Sequence, residues 1–424
     1  MVDALSTGIV ARVRQTVNTN ECSRCEIFGS PFANVSVQTH PALTPLLRSQ
    51  IYYPDTPSAA DTWSVSAVES NYLWDFAVEQ LNPTWMPVLD DGADGQVIDV
   101  DQQVRLIMIP STRTVIVRDC AEKKVYIVGR DVRDLFVEAC RVVRGVHTAS
   151  AINSGATAFH SSSIVRQGRG VCFVGDKGAG KSTALLAAAT SHLDGLSILT
   201  NDKAFLHFDR GLEILACPSV VNVGTGSLLA LGGDCVLKPE FHYRYGAMTH
   251  LLLDLPLTEK LSTDDEYSAP AKVVLLPEEM RRALDTSFST EGRVVAIIES
   301  ELALDEPHSR FELVLDADER ANLVRRNALT DWPNHPDWLG LITTSPGEES
   351  VIGRLEEVAD DVAIARLRVG RDGKDVTRGL IAAFTSSKSP IELGTEIAAG
   401  PLPTYHFGVY ARIVRDGRLL CVKK

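Results

Sequence analysis

The sequence predicts an α/β core built around a phosphate-binding loop, preceded by an α+β unit and followed by a β-rich extension. Three observations carry this. The apolar run Val171–Val174 leads straight into the glycine-rich stretch Gly175–Ser182, and an Ala/Leu-rich segment follows. Short β-like runs dominate from about Ala33 to Gly129. The last stretch, Phe407 to Val422, carries a hairpin signal around Arg415-Asp416-Gly417. The units divide at 1–150, 151–340 and 341–424.

In the first unit, residues 1–30 show no clear periodicity and read as irregular. Val104–Ile109, Thr114–Val117 and Lys124–Val128 are the clearest strands, rich in β-branched side chains. Asp119-Cys120-Ala121-Glu122 reads as a hairpin turn and residues 90–95 as a loop. Asp131 opens a helix, with Leu135, Phe136, Ala139, Val142 and Val143 at helical spacing.

In the centre, Ala158–Val165 is predicted as one strand, Arg166–Gly170 as a turn and Val171–Val174 as the next strand. Ser182–Ala189 follows as a helix. Leu196–Leu199, Phe205–Phe208, Lys272–Leu276 and Arg293–Ile298 are further strands. Pro277 begins a helix in whose first turn its missing N–H costs nothing. Beyond a linker at 344–350, several β runs are expected up to the closing hairpin.

Composition limits the classes of function. The chain has 424 residues, more than one average domain, and 45% hydrophobic and 23% charged residues, as soluble globular proteins do. A net charge of -13 argues against a nucleic-acid surface, which needs clustered Lys and Arg. Met1–Gln15 lacks the pattern of a secretory signal, and no run is long enough to span a membrane. The eight cysteines do not form a disulfide framework, so a cytoplasmic, reduced setting is expected. Cys22 and Cys25 form a lone C-x-x-C pair without the partners zinc needs.

The chemistry centres on Gly175-Asp176-Lys177-Gly178-Ala179-Gly180-Lys181-Ser182, which satisfies G-x-x-x-x-G-K-[ST] in full. Its glycines let successive N–H groups turn inward around phosphates. Lys181 is expected to neutralise the β- and γ-phosphates, and to point into solvent without a ligand. Ser182 is expected to coordinate magnesium, and the following helix, starting through Thr183, presents its positive end. ATP and Mg2+ are therefore the expected cofactors. A second acid should end a neighbouring strand. Asp202, closing the run Leu196–Asn201, is the natural candidate.

With these residues in hand, His160–Asp202 resembles the HPr kinase-like branch of phosphate-loop kinases. The resemblance lies in His160-Ser161-Ser162-Ser163-Ile164-Val165, the Gly168–Gly170 turn, the strand and the loop. It implies a hairpin running directly into the phosphate-loop strand, with His160 near the γ-phosphate or acceptor. A buried histidine tying strand to loop is the plainer alternative. Leu212-Glu213-Ile214 and Val220–Val223 look like the family's segment with a metal-associated glutamate, which implies Glu213 beside Ser182 and Asp202. Lys272 and Pro277-Glu278-Glu279 look like a later strand–helix segment of related kinases.

Two departures matter. The family's acidic pair is Asn201-Asp202 here, so the first acid is an amide. Leu215-Ala216 replaces the arginine and glycine that follow the family's glutamate, which disfavours the bacterial phosphocarrier as substrate. Near the end, His406–Ala411 and Leu419–Lys423 look like the opening hairpin of a Nudix hydrolase domain without its glutamate-rich box.

The expected function is phosphoryl transfer from ATP to a hydroxyl of a small molecule or peptide, with Asp202, His160 and Lys181 catalytic. The alternative is a catalytically weakened nucleotide-binding regulator or assembly protein. A GTPase-type switch is less favoured, because no guanine-reading N/T-K-x-D segment is present. Neither nucleic acid nor membrane is an expected partner, and homo-oligomerisation stays open.

Overall fold

Continuous apolar runs in the early strands demand a sheet covered on both faces. The structure, a computed structural model, describes residues 2–19, 24–41, 43–50, 61–87, 94–191, 193–208, 211–216, 220–224, 244–245, 272–303, 305–328, 337–344, 354, 361–370, 372–386, 389–399, 411–415 and 418–422. The first unit runs α1 (Val2–Thr19), β1 (Arg24–Gly29), β2 (Ala33–Thr39), α2 (Leu43–Gln50), β3 (Asp61–Glu69) and α3 (Leu73–Leu81). It continues through β4 (Met86–Pro87), β5 (Asp94–Asp99), β6 (Val104–Ile109), β7 (Thr114–Asp119), β8 (Lys124–Gly129) and α4 (Val132–Asn153). Its strands form one mixed sheet, in the order β1-β2-β3-β8-β7-β6-β5-β4.

Pleating sends alternate residues to opposite faces. Ile107, Ile109, Ile116 and Ile127 pack against α4 through Leu135, Phe136, Val142 and Val143. Leu106, Met108, Val115 and Val117 pack against α1 and α3. The Asp131 carboxylate caps α4 by accepting the Asp134 N–H at 2.9 Å. The expected irregularity of residues 1–30 is corrected: α1 spans most of that stretch. Ile9, Val10, Val13 and Val17 share one helix face and are all buried, worth roughly 1.5–3 kcal/mol each. Their β-branched character disguised the helical period.

The second unit contains β9 (Thr157–His160), β10 (Ser162–Arg166), β11 (Arg169–Val174), α5 (Lys181–Ala189), β12 (Leu196–Thr200), β13 (Lys203–His207) and β14 (Glu213–Ala216). Next come β15 (Val221–Gly224), β16 (Arg244–Tyr245), β17 (Lys272–Leu275), α6 (Pro277–Leu284), β18 (Ser287–Phe288), β19 (Glu291–Leu302), β20 (Arg310–Leu313) and α7 (Ala317–Asn327). The chain closes with β21 (Ala363–Val369), α8 (Gly373–Phe384), α9 (Pro390–Ala399), β22 (Ala411–Arg415) and β23 (Arg418–Val422).

The central mixed sheet has the order β18-β12-β10-β11-β19-β14-β13-β9, with β21 on β19 and β20 on β21. β11, β19 and β21 run parallel, and β10 forms an antiparallel hairpin with β11. One face packs against α5, α6, α8 and α9 through Ile164, Val171, Phe173 and Ile298. The other joins Val165, Cys172, Val174 and Ile297 to Leu323 and Val324 of α7. Among the described residues the protein is thus mixed α/β, with two mixed sheets and a smaller antiparallel sheet in the order β15-β17-β16.

The strand expected over Ala158–Val165 is broken. β9 ends at His160 and β10 starts at Ser162, and they pair with different strands. The partner ribbon breaks at the same level: β12 pairs with β10 up to Thr200, then β13 pairs with β9 from Lys203. Small buried hydroxyls make the corner feasible, because Ser161 and Ser163 bond to each other at 2.9 Å and Ser162 bonds to Asn201.

The segment read as a β-rich extension is placed differently. β21 runs in the central sheet, and α8 and α9 cover that sheet through Val376, Leu380, Phe384 and Leu393. Residues 337–344 dock on the first unit, where Arg118 donates to the Leu339 carbonyl at 2.8 Å and Trp338 joins the core. The final strands β22 and β23 pair antiparallel, while the 416–417 turn and residues 406–410 lie outside the described residues. Among the described residues, no helix is long and apolar enough to cross a membrane.

Candidate functional site

The site is built at the C-terminal ends of β11, β12 and β19, where loops of an open α/β sheet meet. β11 is flanked on both sides, so Val174 is fixed, and the loop leaves from it. Gly175, Gly178 and Gly180 all have positive φ, at 128°, 91° and 94°. At Gly175 the requirement is doubled, since a Cβ would stand 2.7 Å from the Ser300 carbonyl oxygen of β19. Gly180 caps the N-terminus of α5, whose Ala184 N–H closes onto the Gly180 carbonyl at 2.9 Å. A loop of this conformation at a helix N-terminus is suited to anions.

Lys181 does not project into solvent as the sequence suggested. Its residue is only 8% exposed, and Nζ donates to the carbonyls of Gly175 at 2.6 Å and Asp176 at 3.0 Å. Two loop carbonyls thus serve as acceptors for the ammonium. Ser182 and Thr183 follow in the first turn of α5, both partly buried. The Gly175 N–H donates to Asn327 Oδ1 at 3.0 Å.

Asn201 and Asp202 form the β12–β13 corner and part in character. Asn201 is 8% exposed, and its main-chain and side-chain oxygens accept from Ser162 Oγ at 3.0 and 3.2 Å. The Asp202 side chain is 70% exposed, and its Oδ1 lies 3.5 Å from His160 Nε2. The Asp202 carbonyl accepts the Ser161 N–H at 3.2 Å, which locks the two corners together. Thr200 and Cys172 flank Ser163 in register, so the corner lies level with the end of β11, about 10 Å across two strand spacings. His160 is 39% exposed in its side chain, not the buried tie of the alternative reading.

Glu213 is not part of this site. It pairs with Arg293, which pairs with Arg169 at the start of β11. That is the opposite end of the sheet, roughly 17 Å from Val174 at one strand rise per residue. There Glu213 lines a separate cavity of about 870 Å³ with Phe32, His207 and Arg293. The expected metal set of Ser182, Asp202 and Glu213 is corrected accordingly.

Sequence reading missed Glu299. It is the register partner of Val174 on the adjacent parallel strand, level with the start of the loop. Arg326 binds it through two nitrogens at 2.8 and 2.5 Å, and Arg366 lies at 3.3 Å. With Gly175, Asp176 and Arg366 it lines a cavity of about 710 Å³ beside the loop. The signal was present: an acid immediately ends the apolar run Arg293–Ile298.

Among the described residues, no three His, Cys, Asp or Glu side chains gather to hold a metal. Magnesium bound with a nucleotide needs no such cluster, because phosphates and waters fill most of its shell. Cys22 and the Cys25 side chain lie outside the described residues.

No protein-family model matches the chain, and no curated protein matches it in sequence.

Proposed function

We infer that this chain is an ATP-dependent phosphotransferase acting on a hydroxyl of a small molecule or peptide, akin to the HPr kinase-like phosphate-loop kinases. The observation that carries the reading is the loop itself. Three glycines at positive φ leave a central parallel strand and end at a helix N-terminus with Lys181 and Ser182 at its start. Supporting it, the β10–β11 hairpin runs directly into the loop, as the resemblance implies.

The loop amides and Lys181 hold the triphosphate, the lysine leaving the Gly175 and Asp176 carbonyls for phosphate oxygens. Ser182 and Asp202 are the residues that hold magnesium, which when bound neutralises phosphate charge. Asp202 draws the acceptor proton, and His160, within reach of its carboxylate, orients it. Positioning and charge neutralisation supply most of the rate.

A nucleotide-binding regulator is the second reading, and one observation favours it. Asn201, in the place of the family's first acid, is turned into the corner and bonded to Ser162. The test is calorimetric titration with ATP and magnesium, followed by single turnover of γ-labelled ATP over a pool of hydroxyl acceptors. Binding with transfer supports the kinase; binding with neither transfer nor turnover leaves the regulator.

A further inference from the structure

Three consecutive residues at the end of α7 touch three separate parts of the candidate site. Arg326 binds the Glu299 carboxylate on β19, beside the strand that carries the loop. Asn327 accepts the Gly175 N–H through Oδ1 at 3.0 Å. Ala328 forms a β-bridge with Phe159, the neighbour of His160.

We propose that Arg326-Asn327-Ala328 is a clasp that fixes the phosphate loop relative to the His160–Asp202 corner, with Asn327 as the positioning residue. Asn327 is buried, and its amide cannot turn freely, because Nδ2 donates to the Leu323 carbonyl at 2.8 Å. That bond presents Oδ1 to Gly175 and settles which end of the amide faces the loop. Leu323 and Val324 lie in the same core as Val174 and Phe159, so the helix bearing Asn327 is seated against both strands it links. Asp316 caps its far end by accepting the Glu319 N–H at 2.9 Å.

Gly175 is where such a hold matters. Its φ of 128° is open to glycine alone, and glycine without a partner has many alternatives. Committing its N–H to Asn327 selects one path for the start of the loop, and the amides that follow inherit that direction. Arg326 holds β19, the strand paired with β11, and Ala328 bridges β9, the strand that carries His160, so the loop is referenced to the acceptor side of the site.

The clasp is a statement about the unliganded protein; its effect on ATP rests on the nucleotide-binding reading above, and the test separates the two. Hydrogen exchange is followed by NMR on full-length protein labelled uniformly with ¹⁵N, without nucleotide. The Gly175 amide should exchange more slowly than that of Gly178. In Asn327→Ala that protection should be lost while amides of β6–β8 keep theirs, and Asn327→Asp, which keeps an acceptor oxygen but loses the Nδ2 donor to Leu323, should restore it in part. Calorimetry should then show ATP affinity about ten-fold weaker in Asn327→Ala, the size of one lost hydrogen bond. A Gly175 amide unprotected in the wild type overturns the clasp. So does protection that survives Asn327→Ala, or a loss spread evenly over both sheets. If the wild type binds no ATP, the functional reading falls, and the exchange pattern still decides the clasp.

Discussion

Lys181 is folded back onto its own loop, its ammonium donating to the Gly175 carbonyl at 2.6 Å and so closing the turn that it also begins as the first residue of α5. Under the proposed function, binding a triphosphate would exchange one set of acceptors for another. Phosphate oxygens carry charge and carbonyls do not, so the exchange favours the nucleotide.

The first prediction follows from that exchange. Lys181→Ala should weaken ATP binding about 10- to 100-fold, the loss of a charge-assisted contact. The fold should survive, because Asp176 is exposed and water can reach the carbonyls left behind. Calorimetric titration beside a thermal melt checks both parts. Undiminished affinity would mean the ammonium never reaches the phosphates.

A second prediction separates space from backbone strain within the loop. Gly175→Ala meets the Ser300 carbonyl at 2.7 Å in addition to its positive φ, whereas a Cβ at Gly178 meets nothing within 4 Å. Gly178→Ala should cost about 1–2 kcal/mol from conformation alone. Gly175→Ala should cost about 1–3 kcal/mol more, since β19 backbone cannot move aside without disturbing the parallel pair. Urea unfolding midpoints compare the two. Equal losses would show that the close approach carries no cost.

A third prediction concerns pH and the first unit. His147 is fully buried on α4, bonded to Ser30 Oγ at 2.6 Å, and burial pushes its pKa from 6.5 down to about 3. The unfolded chain binds a proton below 6.5 that the folded chain refuses until about 3. Stability is thus fully present above pH 6.5 and is lost as pH falls towards 3, by at most about 1.4 kcal/mol per pH unit for one proton. His147→Gln should flatten that part of the profile relative to wild type, whatever its offset. Parallel profiles from pH 6.5 to 4 would refute the assignment.

What could be read in advance followed from local rules, and what could not depended on distant partners. The loop, its strand and its helix were legible because Val171–Val174, three glycines and an Ala/Leu run each act within a few residues. Strands β6, β7 and β8 were legible for the same reason, being apolar runs with turn residues between them. Helices α1 and α8 were hidden by β-branched residues and by Gly373 and Gly379, and their order comes from the cores they cover. The break at Ser161 was invisible because its cause lies about forty residues on, at Asn201. Glu213 was misplaced and Glu299 missed for one reason: strand order, which fixes which acid ends beside the loop, is not written in either segment.

The last prediction tests the chemistry at the corner. Asn201 cannot accept a proton near neutral pH, and its oxygens are already engaged by Ser162. Asp202 is the exposed acid of the pair, with His160 Nε2 at 3.5 Å. If Asp202 draws the acceptor proton, Asp202→Asn should slow phosphoryl transfer about 100-fold or more, the usual contribution of a general base. ATP binding should fall only modestly, because the loop amides and Lys181 remain. His160→Gln should give an intermediate loss, since it removes the orienting partner and leaves the carboxylate. Asn201→Asp places a carboxylate in the buried corner beside Ser162 and should lower stability without raising the rate. Single-turnover transfer from γ-labelled ATP, with calorimetric titration of ATP and thermal melts beside it, run on wild type and the three variants, reads all of this. Full transfer in Asp202→Asn would remove Asp202 from the mechanism. Transfer that emerges only in Asn201→Asp would establish the regulator instead, a site one carboxylate short of catalysis.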